Sequence, residues 1–272
     1  MIKYFFLRDD DIRSPLDNNL IKLLELFIQL NIPISLAVEP ANIDNQMSEW
    51  LLNQKERYPN LIEIIQHGYN HNLNEIHYIY GKTYKGEFGF KQSYSEQRMK
   101  ILGGKTIMES NFGNKWFPAF SFPYGGRNLN SIKVLKDLNY KVVNGSYHYS
   151  LPGLIFDYLG RIGGKEYFLG RRVSWHLKPR FKSQLMQIDT SISVIKKFYN
   201  DNTDCEFYEL EDLKVLTKKY LNRTNVIGIV LHHRYHNNNS YLILKNYLEW
   251  LKSIPNVLFL SQEDIYNKYR RY

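Results

Sequence analysis

The chain begins with the segment Ile2-Lys3-Tyr4-Phe5-Phe6-Leu7-Arg8-Asp9-Asp10-Asp11, in which a short apolar run leads directly into three carboxylates. The run Tyr4–Leu7 predicts a β-strand. Three adjacent carboxylates at the end of a strand repel one another. They fit a solvated turn that caps a helix starting near Pro15, or a site in which a bound cation offsets the repulsion.

Short apolar runs alternate with helical patterns along the rest of the chain. In the helix predicted at Pro15–Leu30, apolar residues such as Leu20, Leu24 and Phe27 recur at helical spacing. The segment Asn72–Tyr94 is polar and contains glycine, which predicts a long loop. The predicted strands are Tyr4–Leu7, Ile34–Val38, Ile62–Ile65, Phe120–Phe122, Lys141–Val143, Arg172–Trp175, Val226–Leu231 and Val257–Leu260. The predicted helices are Pro15–Leu30, Gln46–Arg57, Ser95–Phe112, Asn130–Leu138, Leu210–Leu221, Tyr241–Ser253 and Gln262–Tyr269.

This alternation predicts an α/β fold with a mainly parallel sheet. The length of 272 residues is normal for one α/β barrel. No linker or repeat divides the chain, so we expect one domain over residues 1–272. A barrel is favoured over an open sheet because polar residues with chemical potential follow several different strands. In a parallel barrel those positions converge on one face.

Two histidines, His67 and His71, follow the third predicted strand with a spacing of four residues. On a helix this spacing places both imidazoles on one face, where they could share a divalent metal. The alternative is a surface or hydrogen-bonding pair near a helix start. Two histidines with one carboxylate leave open positions for water and substrate, as a catalytic zinc site requires. The histidine pair and the acidic run together therefore indicate a metal site more specifically than either does alone.

Two further segments also follow predicted strands. Pro123-Tyr124-Gly125-Gly126 is typical of a tight turn, and a backbone N–H there could face a developing oxyanion. His232 and His233 follow the strand Val226–Leu231, where a histidine could act as general acid. The structural alternatives are a turn without further function and a histidine that only supports its neighbours.

The composition gives weaker constraints on function. The formal charge of +9 and the pI near 9.3 favour an anionic partner or a scattered basic surface, and no dense Lys/Arg run singles out nucleic acid. The one cysteine, Cys205, excludes an intramolecular disulfide. No stretch has the roughly 18 to 20 apolar residues of a membrane span, and the first residues lack signal-peptide features. We therefore expect a cytoplasmic protein.

Taken in order, these segments resemble the motifs of the polysaccharide deacetylase family, also called the NodB-homology domain or family 4 carbohydrate esterases. The resemblance covers most of the chain. The matching residues are Asp10-Asp11 for the first motif, with Asp9-Asp10 as the alternative register; His67 and His71 for the second; Pro123-Tyr124 for the third; and Val230-Leu231-His232 for the fifth, with His233 as the alternative histidine.

The resemblance implies a deformed (β/α) barrel with about seven parallel strands. It also implies a divalent metal, zinc in the first place, and hydrolysis of acetyl groups on sugars. Asp10 becomes the base. Asp11, His67 and His71 become the metal ligands.

The chain departs from the family pattern in two places. Ser121 occupies the third-motif position that usually holds an arginine next to the catalytic aspartate, and Arg8 or Arg127 is a candidate replacement. The fourth motif is reduced to the possible remnant Val173-Ser174-Trp175-His176. With these departures, the chain resembles a divergent branch of the family that accompanies surface-polysaccharide biosynthesis.

We therefore expect a carbohydrate N-deacetylase that removes an acetyl or other small acyl group from an amino sugar, with a nucleotide or a lipid phosphate as candidate carrier. His232 is the expected acid, and the backbone of Tyr124 is expected to hold the oxyanion. The alternatives are an inactive carbohydrate- or partner-binding relative, and a deformylase or amidase acting on another acyl amide. The expected substrate contacts are Pro123, Tyr124, Trp175 and His233.

Overall fold

One parallel β-sheet organises the structure, a computed structural model that describes residues 1–79, 82–89, 91–145, 185–199 and 204–270. The strands are β1 (Lys3–Ile12), β2 (Ile34–Val38), β3 (Ile62–His67), β4 (Glu75–Ile79), β5 (Lys82–Gly86), β6 (Trp116–Ser121), β7 (Val142–Asn144), β8 (Met186–Gln187), β9 (Thr190–Ser193), β10 (Ile195–Tyr199), β11 (Asp204–Phe207), β12 (Val226–Leu231) and β13 (Val257–Phe259). The helices are α1 (Asn18–Leu30), α2 (Asn45–Arg57), α3 (Tyr94–Phe112), α4 (Leu129–Asp137), α5 (Leu210–Leu221), α6 (Asn238–Ser253) and α7 (Gln262–Tyr269).

The strand order is β8-β7-β6-β3-β2-β1-β12-β9, and β13 pairs with the beginning of β1. Every neighbouring pair in this sheet is parallel. The predicted α/β fold, a deformed (β/α) barrel, is confirmed. The main path has eight strands, close to the seven or so that the resemblance implies. Two of them, β8 and β9, are too short to give a sequence pattern.

The sheet is buried on both faces, and β1 shows how one strand serves two cores. Phe5 and Leu7 belong to the large core between the sheet and the helices. Tyr4 and Phe6 belong to a smaller core that also contains Ile265 of α7. A strand buried on both sides has a continuous apolar run instead of alternating polar residues, which explains the pattern Tyr4–Leu7.

The strand register brings the polar segments to one edge of the sheet. Asp9 of β1 is level with Leu231 of β12, and His67 of β3 is level with Ser121 of β6. Because parallel strands run in the same direction, the residues that follow their carboxyl ends meet there. The convergence expected from the sequence is therefore found.

Two local predictions need correction. The predicted loop Asn72–Tyr94 contains an antiparallel hairpin formed by β4 and β5. In the part of the chain that the structure describes, β4 and β5 pair only with each other, so the hairpin needs no long apolar run. The first long helix begins at Asn18 instead of Pro15, because the Asp17 side chain caps it by accepting from the N–H of Leu20 at 2.9 Å. The strand predicted at Arg172–Trp175 lies outside the described residues.

Within the described ranges, we find no helix whose length and apolarity would let it cross a membrane.

A substitution in β12 tests the close packing of the sheet. A Cβ added at Gly228 would lie 2.3 Å from Phe6 Cζ and 2.5 Å from the backbone oxygen of Asp189. We expect Gly228→Ala to lower the free energy of unfolding by about 1–3 kcal/mol, measured by urea denaturation. The control is Gly103→Ala in α3, where the new methyl group would meet only the Tyr69 ring at 3.5 Å. A Gly228→Ala variant as stable as the wild type would contradict this packing.

Candidate metal-binding active site

Three side chains converge at the carboxyl edge of the sheet. Asp11 Oδ1 lies 3.3 Å from His67 Nε2 and 3.1 Å from His71 Nε2. One potential ligand atom from each of the three lies within 4.8 Å of the other two. Two imidazole nitrogens facing one carboxylate oxygen match the donor set of a catalytic zinc site, which leaves a position open for water or substrate. The residues present therefore fit a divalent metal.

A β-bulge in β1 lets adjacent aspartates serve the same site. On a regular strand neighbouring side chains point to opposite faces, but the register between β1 and β2 shifts between Asp9 and Ile12. Asp11 adopts a left-handed backbone with φ of 64°. A bulge re-aims the side chains around it. As a result, His67 and His232 both act electrostatically on Asp10 and on Asp11.

The histidine pair is held by a turn, and the helix suggested by its spacing is absent. His67 is the last residue of β3, and the backbone then turns through Gly68 and His71, whose φ angles are 60° and 58°. A Cβ at Gly68 would lie 2.1 Å from Glu87 Oε2 and 2.5 Å from Pro123 Cγ. Only glycine fits this close approach at a positive φ.

Glu87, which the sequence analysis did not identify, anchors this turn. Its fully buried carboxylate accepts hydrogen bonds from the backbone N–H groups of Tyr69 at 3.1 Å and Asn70 at 3.0 Å. On the other side, Gln66 Nε2 donates to the carbonyl of Gly68 at 2.8 Å. Glu87 follows the hairpin within the segment predicted as a loop, so no periodic pattern indicated its role.

Asp10 is paired with Arg8 in a buried, bidentate ion pair. Arg8 Nε donates to Asp10 Oδ1 at 2.6 Å, and Arg8 Nη2 donates to Asp10 Oδ2 at 2.7 Å. Burial alone would raise the pKa of Asp10, but the Arg8 guanidinium, together with the charges of His67 and His232, holds that pKa below its usual range. Arg8 lies two residues before Asp10 on the same strand. It therefore supplies the guanidinium contact that Ser121, at the usual third-motif arginine position, cannot make. Arg127 instead donates to the carbonyl of Gly125 at 2.8 Å.

His232 and His233 have different surroundings. His232 is partly exposed, and its ring lies edge-on to Phe198 at 5.3 Å. Its buried Nδ1 atom has no hydrogen-bond partner among the described residues. His233 is fully buried, with Nδ1 2.6 Å from Asp9 Oδ2 and Nε2 3.3 Å from Asp17 Oδ2. Burial alone would lower the pKa of His233, but the carboxylates of Asp9 and Asp17 raise it to about 9.

The Pro123–Gly125 turn places Tyr124 beside the histidine pair. The Tyr124 ring centroid is 4.5 Å from that of His71, and its hydroxyl donates to the His71 carbonyl at 3.3 Å. Tyr124 has φ of 57° and is 39% exposed, whereas Pro123 is buried. Trp175, which was also predicted to contact the substrate, lies outside the described residues.

Comparisons with known proteins agree with this fold. No protein-family model and no curated protein sequence matches the chain. Among solved structures, a protein described as a probable polysaccharide deacetylase from Pseudomonas aeruginosa covers 98% of this chain and 90% of its own, at a TM-score of 0.62 and 14% identity. A family 4 acetyl xylan esterase from Clostridium thermocellum, solved with a cobalt ion, covers 98% and 91%, at a TM-score of 0.55 and 12% identity.

A peptidoglycan deacetylase from Bacillus subtilis also covers 99% of this chain and 94% of its own, at a TM-score of 0.53 and 12% identity. At these identities the likeness is one of fold. The fold is that of the polysaccharide deacetylases and family 4 carbohydrate esterases, and the resemblance expected from the motifs is confirmed at that level.

The role of Glu87 can be tested by its effect on metal affinity. Glu87→Gln replaces one acceptor oxygen by an N–H₂ group that faces backbone donors, which should loosen the turn carrying His71. Residues that orient metal ligands typically contribute 10–100-fold to affinity, so we expect zinc to bind about tenfold or more weakly by competition titration. Glu109→Gln, on the exposed face of α3, is the control. Equal affinities in all three proteins would exclude the role of Glu87.

The Asp9–His233–Asp17 cluster predicts a pH-dependent contribution to stability. The pKa of His233 is raised from 6.5 to about 9, so its contribution is complete below pH 6.5 and is lost as pH rises through 9. We expect the wild type to exceed His233→Gln in free energy of unfolding by about 3 kcal/mol more at pH 6 than at pH 10. The measurement is urea denaturation of the metal-free proteins.

The matched control for this prediction is His236→Gln. Burial lowers the pKa of His236 to about 3, so both folded and unfolded states hold it neutral well above pH 6.5. The stability difference between His236→Gln and the wild type should therefore stay constant from pH 8 to pH 10. A constant difference for His233→Gln from pH 6 to pH 10 would mean that His233 is uncharged in the folded protein.

Proposed function

We propose that the chain is a metal-dependent hydrolase that removes an acetyl or other small acyl group from the nitrogen of an amino sugar. The observation that carries this proposal is the Asp11–His67–His71 donor set beside the Arg8–Asp10 ion pair. A metal site next to an ionised carboxylate that is not needed as a ligand has both parts required for activating water.

Asp11, His67 and His71 would hold the metal, and zinc is the ion that suits one carboxylate and two imidazoles best. When bound, such an ion polarises an acyl oxygen and lowers the pKa of water. Burial alone would raise the pKa of Asp11, but hydrogen bonds from His67 and His71, together with the charges of His232 and His67, hold it well below its usual range, so this ligand is deprotonated at neutral pH.

In this proposal Asp10 is the general base. It takes a proton from the attacking water as the water oxygen bonds to the acyl carbon. Arg8 keeps the carboxylate ionised and fixes its orientation through two hydrogen bonds. The backbone N–H of Tyr124 donates to the oxyanion that develops on the acyl oxygen.

His232 is the proposed general acid, because it is partly exposed and acts electrostatically on both aspartates. It gives a proton to the leaving nitrogen as the carbon–nitrogen bond breaks, which yields a free amine and a carboxylate. His233 is enclosed by Asp9 and Asp17, so we assign it a structural role in place of the expected substrate contact. Pro123, Tyr124 and Trp175 are retained as proposed substrate contacts.

For the substrate we propose an acylated amino sugar in polysaccharide or glycoconjugate biosynthesis. Solved structures with this fold include a peptidoglycan deacetylase and an acetyl xylan esterase, and their shared theme is an acylated sugar. The net charge of +9 favours a substrate linked to a nucleotide or a lipid phosphate. A cytoplasmic location stays a prediction from the sequence.

The main alternative is a carbohydrate- or partner-binding protein without activity. It was suggested by the missing arginine at Ser121, but Arg8 supplies a guanidinium to Asp10, which favours the hydrolase. A screen of the zinc-loaded protein against acylated nucleotide sugars, lipid-linked sugars and amino-sugar oligomers, with detection of acetate and formate, separates deacetylase, deformylase and inactive binder.

Removing the proposed base provides the mechanistic test. Asp10→Asn keeps the shape of the side chain but cannot accept the proton, and general-base catalysis contributes about 10²–10⁴-fold. We therefore expect kcat to fall by about 10³-fold while the zinc content stays at that of the wild type. The measurement is acetate release together with metal analysis of the purified protein.

The control is Asp137→Asn, which replaces an aspartate paired with Tyr94 away from the site and should keep full activity. Either of two results would refute the proposed role: an Asp10→Asn variant within tenfold of wild-type kcat, or a zinc-loaded wild type that releases no acyl group from any compound in the screen.

A further inference from the structure

Arg13 lies at the rim of the candidate site, two residues after the proposed ligand Asp11. Its Nη1 atom donates to Glu39 Oε1 at 3.1 Å, and its side chain is 37% exposed. Glu39 follows β2 at the same edge of the sheet and is completely buried. The ion pair therefore has one end fixed inside the protein and the other at the surface.

This ion pair is attached to the turn that carries His71. Asn42 Nδ2 donates to Glu39 Oε2 at 2.6 Å and to the carbonyl of Asn70 at 2.9 Å. Burial raises the pKa of Tyr124 and of Tyr235, and the charge of Arg13 partly opposes this rise in both residues. Arg13 is thus within electrostatic range of both tyrosines near Asp11.

Among the described residues, three arginines close to the aspartates of β1, Arg8, Arg13 and Arg234, differ in how their donors are used. Arg8 makes two hydrogen bonds to Asp10 and is buried. Arg234 donates to the carbonyls of Asp11 at 3.3 Å and Arg13 at 2.7 Å, and its Nη1 lies 3.6 Å from Asp17. Arg13 differs, because only its Nη1 atom is paired among the described residues. No described residue pairs with its Nε or Nη2 donors.

We propose that Arg13 binds an oxyanion, either phosphate or carboxylate, carried by the substrate next to its acylated nitrogen. This inference rests on the proposed function and specifies its substrate class as an acidic acylated amino sugar. The paired Nε and Nη2 donors of a guanidinium match two oxygens of such a group. Glu39 holds the guanidinium in place before binding, which lowers the entropic cost of recognition.

The ion pair with Glu39 neutralises part of the charge of Arg13 but leaves Arg13 able to bind an oxyanion. The buried Glu39 carboxylate is shared between Arg13 and Asn42, and it faces the interior. The Arg13 side chain, in contrast, is 37% exposed. An ion pair with a purely structural role would affect folding or metal affinity and would not affect discrimination between neutral and anionic ligands.

Binding should be measured in the Asp10→Asn background, where the proposed base is absent and ligands are not consumed. The probes are the methyl glycoside of N-acetylglucosamine, its counterpart N-acetylglucosamine 1-phosphate, and the methyl glycoside of N-acetylmuramic acid, whose carboxylate is carried on O3, next to the acylated nitrogen. Calorimetry on the zinc-loaded protein gives the three affinities. We expect at least one anionic probe to bind about tenfold or more tightly than the neutral one.

Adding Arg13→Gln should abolish that preference while affinity for the neutral probe stays within about twofold. Arg13→Lys, which keeps the charge and loses the planar donor pair, should retain only part of it and serves as the second variant if Arg13→Gln folds poorly. Arg57→Gln, at the end of α2, is the control and should keep the full preference. The probe that shows the preference identifies phosphate or carboxylate as the group recognised.

Two results would overturn the inference. One is equal binding of neutral and anionic probes by the Asp10→Asn protein. The other is a preference that persists in Arg13→Gln, which would place the anion on the metal or on another cation. Failure of the proposed function is recognised separately, because it appears as absent acyl release while these binding measurements remain interpretable.

Discussion

Three consecutive buried carboxylates at the end of β1 impose the constraint on which the rest of the site depends. Asp9, Asp10 and Asp11 are 0%, 5% and 8% exposed, and without compensation their mutual repulsion and burial would oppose ionisation. Each has a different partner. Asp9 contacts His233, Asp10 contacts Arg8, and Asp11 faces the two imidazoles of the candidate metal site.

This division of partners explains why the surrounding structure has its particular form. The bulge in β1 re-aims neighbouring side chains, so that the adjacent Asp10 and Asp11 serve the same site. His233 links Asp9 to Asp17, the residue that caps α1, so the helix layer is attached to the same strand end. Glu87 fixes the turn between the two histidines from the opposite side. The candidate site is thus supported by residues that would not contact the substrate themselves.

The sequence predicted the features that repeat or that carry a recognisable chemical pattern. Continuous apolar runs such as Tyr4–Leu7 indicated a sheet buried on both faces, and the polar residues after several strands indicated a shared edge. The spacing of His67 and His71 correctly predicted that the two side chains lie close together, but the helix on which that prediction relied is absent. A left-handed turn at Gly68 takes its place. Proximity in a turn depends on φ angles that residue spacing does not determine.

The features that could not be predicted depend on contacts between distant segments. Glu87 stabilises the turn between the two histidines by binding N–H groups that lie 17 and 18 residues earlier in the chain. A single acidic residue in a polar stretch has no pattern that distinguishes it from its neighbours. The choice between Arg8 and Arg127 as the partner of Asp10 depended on side-chain direction. The different roles of His232 and the buried His233 depended on Asp17, which the sequence placed only inside the predicted helix Pro15–Leu30.

X-ray absorption spectroscopy of the protein loaded with one equivalent of zinc tests the central claim, the metal site itself, most directly. A site formed by Asp11, His67 and His71 should show two imidazole nitrogens at about 2.0–2.1 Å and carboxylate or water oxygens at about 2.0–2.2 Å, without sulfur. The Asp11→Asn variant should bind zinc more weakly and keep both imidazoles. A sulfur neighbour at about 2.3 Å, from Cys205, or fewer than two imidazoles would contradict the assignment of Asp11, His67 and His71.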